Sequence, residues 1–329
     1  NEKTELLKRL ANLYTGNEKV LAFIRNETNK ANTEIENLVA QLSHKYPSLL
    51  SVSFIKSSLP VKLPATGDLV AYKKIHYFDN VDFSNSAILR SDVISSLLQG
   101  YFSLYEDPSY TYTEQVENYA LALDRILGKA SKNKVIYEFL RTDLTNKYRY
   151  GNLDILGAYL MQFYSTDNFF PALIKEPDIK KRLQSLNHVS LGKQAPDIVM
   201  PTYDGKQERL KDIKTDYTLL VFWSTDCSHC TTMLPQLKQV YEMKKKQSDL
   251  EVLAVSFDTN QDAWQNFIKA GNYSWINYSD LKGWESEIAR NYKIQGTPTY
   301  ILLNKDKTVI YKPTTLEDLI GKLKTLNII

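Results

Sequence analysis

The sequence predicts a mostly α-helical region over residues 1–187, followed by an α/β domain over residues 188–329. Three observations point there. In the first half, apolar residues recur at helical spacing, as in Leu6, Leu7, Leu10 and Leu13, or in Val93, Leu97, Leu98, Tyr101 and Phe102. After Ile198, short apolar runs alternate with amphipathic stretches of helix length, the pattern of strands and helices stacked in layers. Between the two regimes, Gly192 to Pro196 reads as a linker. A chain of 329 residues has room for two domains, and 43% hydrophobic with 24% charged residues is an ordinary globular composition.

Further helices in the first half are expected over residues 17–43, 113–128, 132–148 and 152–164, punctuated by Asp107-Pro108 and Gly151-Asn152. Between Leu59 and Asn85 the periodicity fails, and Pro60, Pro64 and Gly67 predict a long loop. The 22 tyrosines concentrate in the first 165 residues and read mainly as amphipathic packing residues, with peptide binding as the lesser alternative. Beyond Pro171 and Pro177 a short helix is expected to end near Asn187. In the second half, Ile198 to Met200 and the Tyr203-Asp204-Gly205-Lys206 turn predict a hairpin. Strands are then expected over 218–223, 252–257, 299–303 and 308–311, and helices over 228–246, 261–270, 284–292 and 316–326.

Charge and composition exclude several function classes. With 41 basic and 38 acidic residues the net charge is +3, and Lys244-Lys245-Lys246 is a short run suited to a solvated helix face, so nucleic acid is not an implied partner. No run of about 18 apolar residues is present to span a membrane. The sequence opens on Asn1 rather than Met, which suggests a mature or trimmed chain from which an export signal could have been removed.

The chemistry is concentrated in Phe222-Trp223-Ser224-Thr225-Asp226-Cys227-Ser228-His229-Cys230. The chain's 2 cysteines stand here, just after an apolar run and at the start of an expected helix. A helix N-terminus leaves N–H groups unpaired and favours negative charge, which suits a thiolate. The alternatives are inert buried thiols or a zinc half-site, but zinc usually takes four ligands and no second cysteine pair exists. Copper held by both thiols and a histidine is a remote option, His188 being the other histidine near this domain besides His229. A peroxidase reading lacks the Pro-x-x-x-Thr-x-x-Cys pattern. Pro235 should kink the helix that the motif opens. Thr297-Pro298, following Gly296 and preceding a strand, is a candidate cis peptide. Trp264, Trp275 and Trp284 read as packing residues, and His44 and His76 have no evident partner.

Residues from about 190 to 327 resemble the TlpA/ResA class of bacterial extracytoplasmic thioredoxin-like proteins. The resemblance is carried by Gly192 to Asp197, Asp204-Gly205, Leu210-Lys211-Asp212, the Phe-Trp-Ser-x-x-Cys segment, Pro235, Val252 to Phe257 and Gly296-Thr297-Pro298-Thr299. The resemblance implies a thioredoxin-like fold and thiol–disulfide exchange with protein substrates, without a bound organic cofactor. Cys227 would be the nucleophile and Cys230 the resolving thiol. A cis Pro298 would lie against the cysteines and leave the backbone of Thr297 to pair with an extended peptide. Ser228, His229 and Trp223 would tune the site or contact substrate, although Trp223, like Phe222, also reads as a core or site-wall residue. A charged His229 would stabilise the Cys227 thiolate and make the disulfide more oxidising.

The sequence also departs from that class. Met233 stands where a glutamate often follows the second cysteine, and Val221 where thioredoxins bury an aspartate. Asp226 precedes Cys227, and its charge opposes thiolate formation. The first half resembles, with Tyr77 to Phe83 as its most family-like piece, domains that precede thioredoxin modules in exported bacterial proteins. The family's usual task is reduction, in the periplasm or on a membrane tether outside this sequence, with an unidentified redox partner. The alternative is an interaction protein whose helical half binds a partner and whose redox activity is vestigial.

Overall fold

The computed structural model describes residues 2–14, 16–46, 49–64, 66–164, 179–186, 189–201, 207–244 and 249–329. Pro171, Pro177, His188, the Tyr203–Lys206 turn and the end of the lysine run at Lys245 and Lys246 lie outside them. The chain forms two compact units that interleave: residues 1–143 with 162–180, and residues 144–161 with 181–329. The second unit therefore takes in a stretch, Leu144–Met161, that precedes the sequence boundary at 187/188.

The first unit is helical. Its elements are α1 (Glu2–Leu13), α2 (Glu18–Lys45), α3 (Leu50–Ser57), α4 (Leu69–His76), a 3-10 turn over Ser86–Arg90, α5 (Val93–Ser103), α6 (Tyr112–Ala130) and most of α7 (Lys134–Lys147). Local signals set the ends. Asn17 caps α2 by accepting the Val20 N–H at 3.2 Å, and Thr111 and Glu114 form a reciprocal capping box on α6. The expected loop over 59–85 is corrected: it contains α4. Pro60, Pro64 and Gly67 all precede Asp68, whose carboxylate accepts the Val70 and Ala71 N–H groups at 2.8 and 3.0 Å and starts a helix there. His76 is also not without a partner, since its ring lies 2.7 Å from the Asp79 carboxylate. The tyrosines pack as expected. Tyr101 is 1% exposed, its ring centroid 4.6 Å from Phe78 and 5.1 Å from Tyr105. Burial pushes its phenol far above the ordinary range.

The second unit is built on a five-stranded sheet. After α8 (Asp154–Phe163) and α9 (Ile179–Ser185), a two-stranded antiparallel ribbon pairs β1 (Val199–Pro201) with β2 (Gln207–Arg209). There follow β3 (Tyr217–Trp223), α10 (Ser228–Glu242), β4 (Leu250–Ser256), α11 (Gln261–Gly271), β5 (Ile276–Tyr278), α12 (Glu287–Tyr292), β6 (Thr299–Asn304), β7 (Val309–Tyr311) and α13 (Leu316–Thr325). The order across the sheet is β5-β4-β3-β6-β7, with β3–β4 and β4–β5 parallel and the other pairs antiparallel. Strand alternation sorts the core into two faces. Leu219, Val221, Trp223, Val252, Ala254 and Leu302 pack under α10 and α13. Leu220, Phe222, Leu253, Val255, Ile301 and Leu303 pack on the other side with Ala289 and Tyr292 of α12.

Three differences from expectation have local causes. β5 was not predicted, because three residues of partly polar sequence are too short for a periodic signal. The helix expected over 284–292 breaks into a 3-10 turn (Gly283–Glu285) and α12, because the Ser286 side chain accepts the Ile288 N–H and restarts the helix. Gly192 to Pro196 is not a free linker. Gly192 and Ala195 donate to the carbonyls of Val309 and Lys307, and Val309 donates to Lys193, so the segment covers the open edge of β7.

Candidate active site

Both cysteines sit where β3 hands over to α10. The chain leaves the sheet at Trp223, and Cys227 takes an extended conformation (φ −92°, ψ 104°) as the N-cap of α10. The Cys230 N–H points at the Cys227 sulfur, 3.2 Å away, and the Cys227 carbonyl accepts from Cys230 and Thr231 at 2.9 and 3.1 Å. An N-cap atom meets the unpaired N–H groups and positive end of the helix, so this sulfur lies where negative charge is favoured. Cys227 is half-buried and Cys230 has no exposed surface. The two sulfurs lie at disulfide distance, with their Cα atoms 5.2 Å apart. Of the two residues, Cys227 alone keeps exposed surface.

The opposite wall comes from the segment entering β6. Thr297-Pro298 is a cis peptide, and the Thr297 carbonyl oxygen stands 3.4 Å from Cys227 Sγ. Antiparallel pairing puts Thr299 opposite Phe222, so the sheet register itself brings this loop to the cysteines, 70 residues away in sequence. Among the described residues the Thr297 N–H has no hydrogen-bond acceptor. Pro235 lies inside α10 as expected.

The other expected site residues are dispersed. Ser228 opens α10 and His229 follows it, both exposed to solvent beside the cysteines. Trp223 needs correcting as a substrate-contacting residue. It is 0% exposed, its ring 5.3 Å from that of Phe267, because strand alternation turns it into the core under α10. Met233 and Val221 are likewise core residues. Trp275 is buried, whereas Trp284 is 52% exposed with its ring 5.1 Å from Phe257.

Sequence reasoning missed Asp258. Its carboxylate, 3% exposed, accepts hydrogen bonds from the Thr225 N–H (3.0 Å), the Thr225 hydroxyl (2.6 Å), the Ser224 hydroxyl (3.1 Å) and the Ser256 hydroxyl (2.5 Å). It thereby fixes the two residues that follow β3 and aim the cysteine loop. A signal was present: Asp258 lies just past the carboxyl end of the strand paired in parallel with β3, where open α/β sheets place functional groups. Among the described residues, no cluster of three or more His, Cys, Asp or Glu side chains could hold a metal ion. Nor is any helix there long and apolar enough to cross a membrane.

Each half of the chain resembles known proteins. Residues 191–312 match the AhpC/TSA family, and residues 23–156 match a domain family of unknown function, DUF5106. The chain is 32% identical over 141 residues to the thiol-disulfide oxidoreductase ResA of Bacillus cereus, covering 42% of this chain and 79% of that protein. The ResA of Geobacillus kaustophilus is 27% identical over the same length, with the same coverage. A thioredoxin-like protein from Bacteroides caccae, whose crystal structure is known, superposes with a TM-score of 0.56 at 22% identity, over 80% of this chain and 97% of that one. That likeness extends the shared fold through the helical half. The second half of the chain thus carries a thioredoxin-like domain, and the protein belongs to the ResA family of thiol-disulfide oxidoreductases.

Proposed function

We propose that the Cys227–Cys230 pair exchanges disulfides with protein substrates and serves as a reductant. The observation that carries this reading is the sulfur of half-buried Cys227 at the N-terminus of α10, 3.4 Å from the Thr297 carbonyl, with Cys230 fully buried. In the reduced protein the Cys227 thiolate attacks a substrate disulfide. One substrate sulfur leaves as a thiolate, and a mixed disulfide with Cys227 remains. Cys230, losing its proton, then attacks Cys227 Sγ. The second substrate thiolate is released and the Cys227–Cys230 disulfide forms, two electrons having passed to the substrate. Unpaired Thr297 N–H supports docking of an extended substrate strand beside the cysteines.

The redox domain is proposed to span residues 188–329, with Leu144–Met161 packed into it. By analogy with the relatives' family the protein works outside the cytoplasm, with a separate electron donor. Reduction of insulin by dithiothreitol, followed by turbidity, tests the reading. The full chain should accelerate precipitation, Cys227→Ala should not, and Cys230→Ser should accumulate a mixed disulfide. No acceleration by the unaltered chain would favour a scaffold role instead. Equilibration with glutathione sets the direction: a potential near about −270 mV fits a reductant, and one near about −120 mV an oxidant.

A further inference from the structure

We infer that residues 149–154 form a specificity wall beside the redox site, shaping a pocket for an uncharged, preferably aromatic, side chain next to the reacting cysteine of a protein substrate. The inference rests on the disulfide-exchange reading above and adds a substrate class to it. A cavity of about 230 Å³ is lined by Tyr150, Gly151, Thr297, Pro298, Tyr300 and Pro313 among others. It lies next to the cysteine site, because Thr297, one of its lining residues, also brings its carbonyl oxygen to 3.4 Å from Cys227 Sγ.

The wall is fixed in place rather than draped. The Arg149 guanidinium donates to the Gln295 carbonyl at 3.2 Å, on the segment that leads into Pro298. Tyr150 Oη fills the room left by Gly296, where an added Cβ would come within 2.7 Å of it. Gly151 adopts φ +86°, and a Cβ there would sit 2.9 Å from Thr314 Cγ2. Asn152 accepts the Lys312 N–H at 2.9 Å, and the Lys312 ammonium forms a buried ion pair with Asp154.

This construction decides what the pocket accepts. Tyr150 is 44% exposed, so its ring is offered to a visitor, and Pro298 and Pro313 line the same cavity. The two charged lining groups neutralise each other, and both are under 10% exposed. Arg149, whose guanidinium lies 5.5 Å from the centre of the Tyr150 ring, donates to Gln295 and is not among the lining residues. The lining itself therefore offers a charged visitor no free partner, whereas an aromatic ring gains apolar contact. Pockets of this kind, mostly apolar with a few fixed polar groups, are where side-chain selectivity arises.

The test uses the full chain, reduced beforehand, and two symmetrical disulfide-linked dimers of a short capped peptide. In one dimer phenylalanine flanks the cysteine on both sides; in the other, glycine does. The unaltered chain should reduce the phenylalanine dimer about tenfold faster by kcat/KM, the discrimination typical of one apolar pocket. Tyr150→Ala should bring the ratio close to one, and Tyr150→Phe, which keeps the ring, should retain it. Equal rates on both dimers in the unaltered chain, or a preference that survives Tyr150→Ala, would overturn the pocket while leaving disulfide exchange intact. Loss of the preference in Tyr150→Phe would overturn it too. No reaction with either dimer would overturn the exchange reading, and the pocket with it.

Discussion

The Asp258 carboxylate holds Thr225 by two atoms at once, accepting its backbone N–H at 3.0 Å and its hydroxyl at 2.6 Å. Two further hydroxyls, from Ser224 and Ser256, complete the cradle. The loop that delivers Cys227 to the helix tip is therefore anchored to the end of the neighbouring parallel strand. This carboxylate is a positioning group: it touches the residues before the cysteine, and not the sulfurs.

Replacing Asp258 with alanine strands several donors in a buried place. Hydrogen bonds to a carboxylate contribute roughly 1.5–3 kcal/mol each, and their losses do not add fully. Asp258→Ala should lower stability by about 3 kcal/mol, read as the urea midpoint with an unchanged slope. The reaction of reduced Cys227 with a chromogenic disulfide should slow as the loop loses its aim, while Asp258→Asn, which keeps an acceptor, should recover part of both. A loop-anchoring role would be refuted by a full loss of stability accompanied by an unchanged Cys227 rate.

Lys312 and Asp154 make a buried ion pair, with Lys312 also donating to the Val189 carbonyl at 2.8 Å. Removing one partner leaves a charge without compensation in a dry site, which typically costs about 3–5 kcal/mol. Asp154→Ala should therefore be strongly destabilising. The double variant Asp154→Leu with Lys312→Met should cost clearly less than the sum of the single changes. Denaturant unfolding of all four proteins in the cycle checks this, and strict additivity would show that the charges do not interact.

The alkaline limb of stability should carry the mark of buried tyrosines. Burial, aided by the charge of Glu317, pushes the Tyr300 phenol up to about 12. The folded protein thus holds the proton more tightly than the unfolded chain, whose tyrosines ionise near about 10. Stability from this group is fully present below about pH 10 and is lost as pH rises towards about 12. Urea midpoints measured from pH 9 upward should fall, and Tyr300→Phe should make that fall shallower. An identical slope in the variant would remove Tyr300 from the account.

Much of the fold was legible because its signals are local. Leu219 to Trp223 form an unbroken apolar run of strand length, which reads as a strand covered on both faces, and the structure sorts Leu219, Val221 and Trp223 to one face and Leu220 and Phe222 to the other. Cys227 at a helix start and Pro298 before a strand were both readable as a candidate site, since each depends on a few neighbouring residues. The α4 helix was missed because three chain-breaking residues lay just ahead of it and masked the Asp68 cap. Trp223 reads from sequence as either core or site wall, and strand alternation decides for the core.

Composition, periodicity and the two-cysteine motif determined the class of fold and marked Cys227, Cys230 and Pro298 as candidates, because those signals depend on backbone propensity and on residues adjacent in sequence. That Pro298 lies against the cysteines was implied by the family resemblance and is decided by the register of β6 on β3. Asp258 beneath the loop, Lys312 against Asp154, and Tyr150 beside Gly296 were decided only in three dimensions. Each joins positions 33 to 158 residues apart. No local pattern encodes such a partner, since it is the register of the strands and the packing of α8 that bring the two groups within reach.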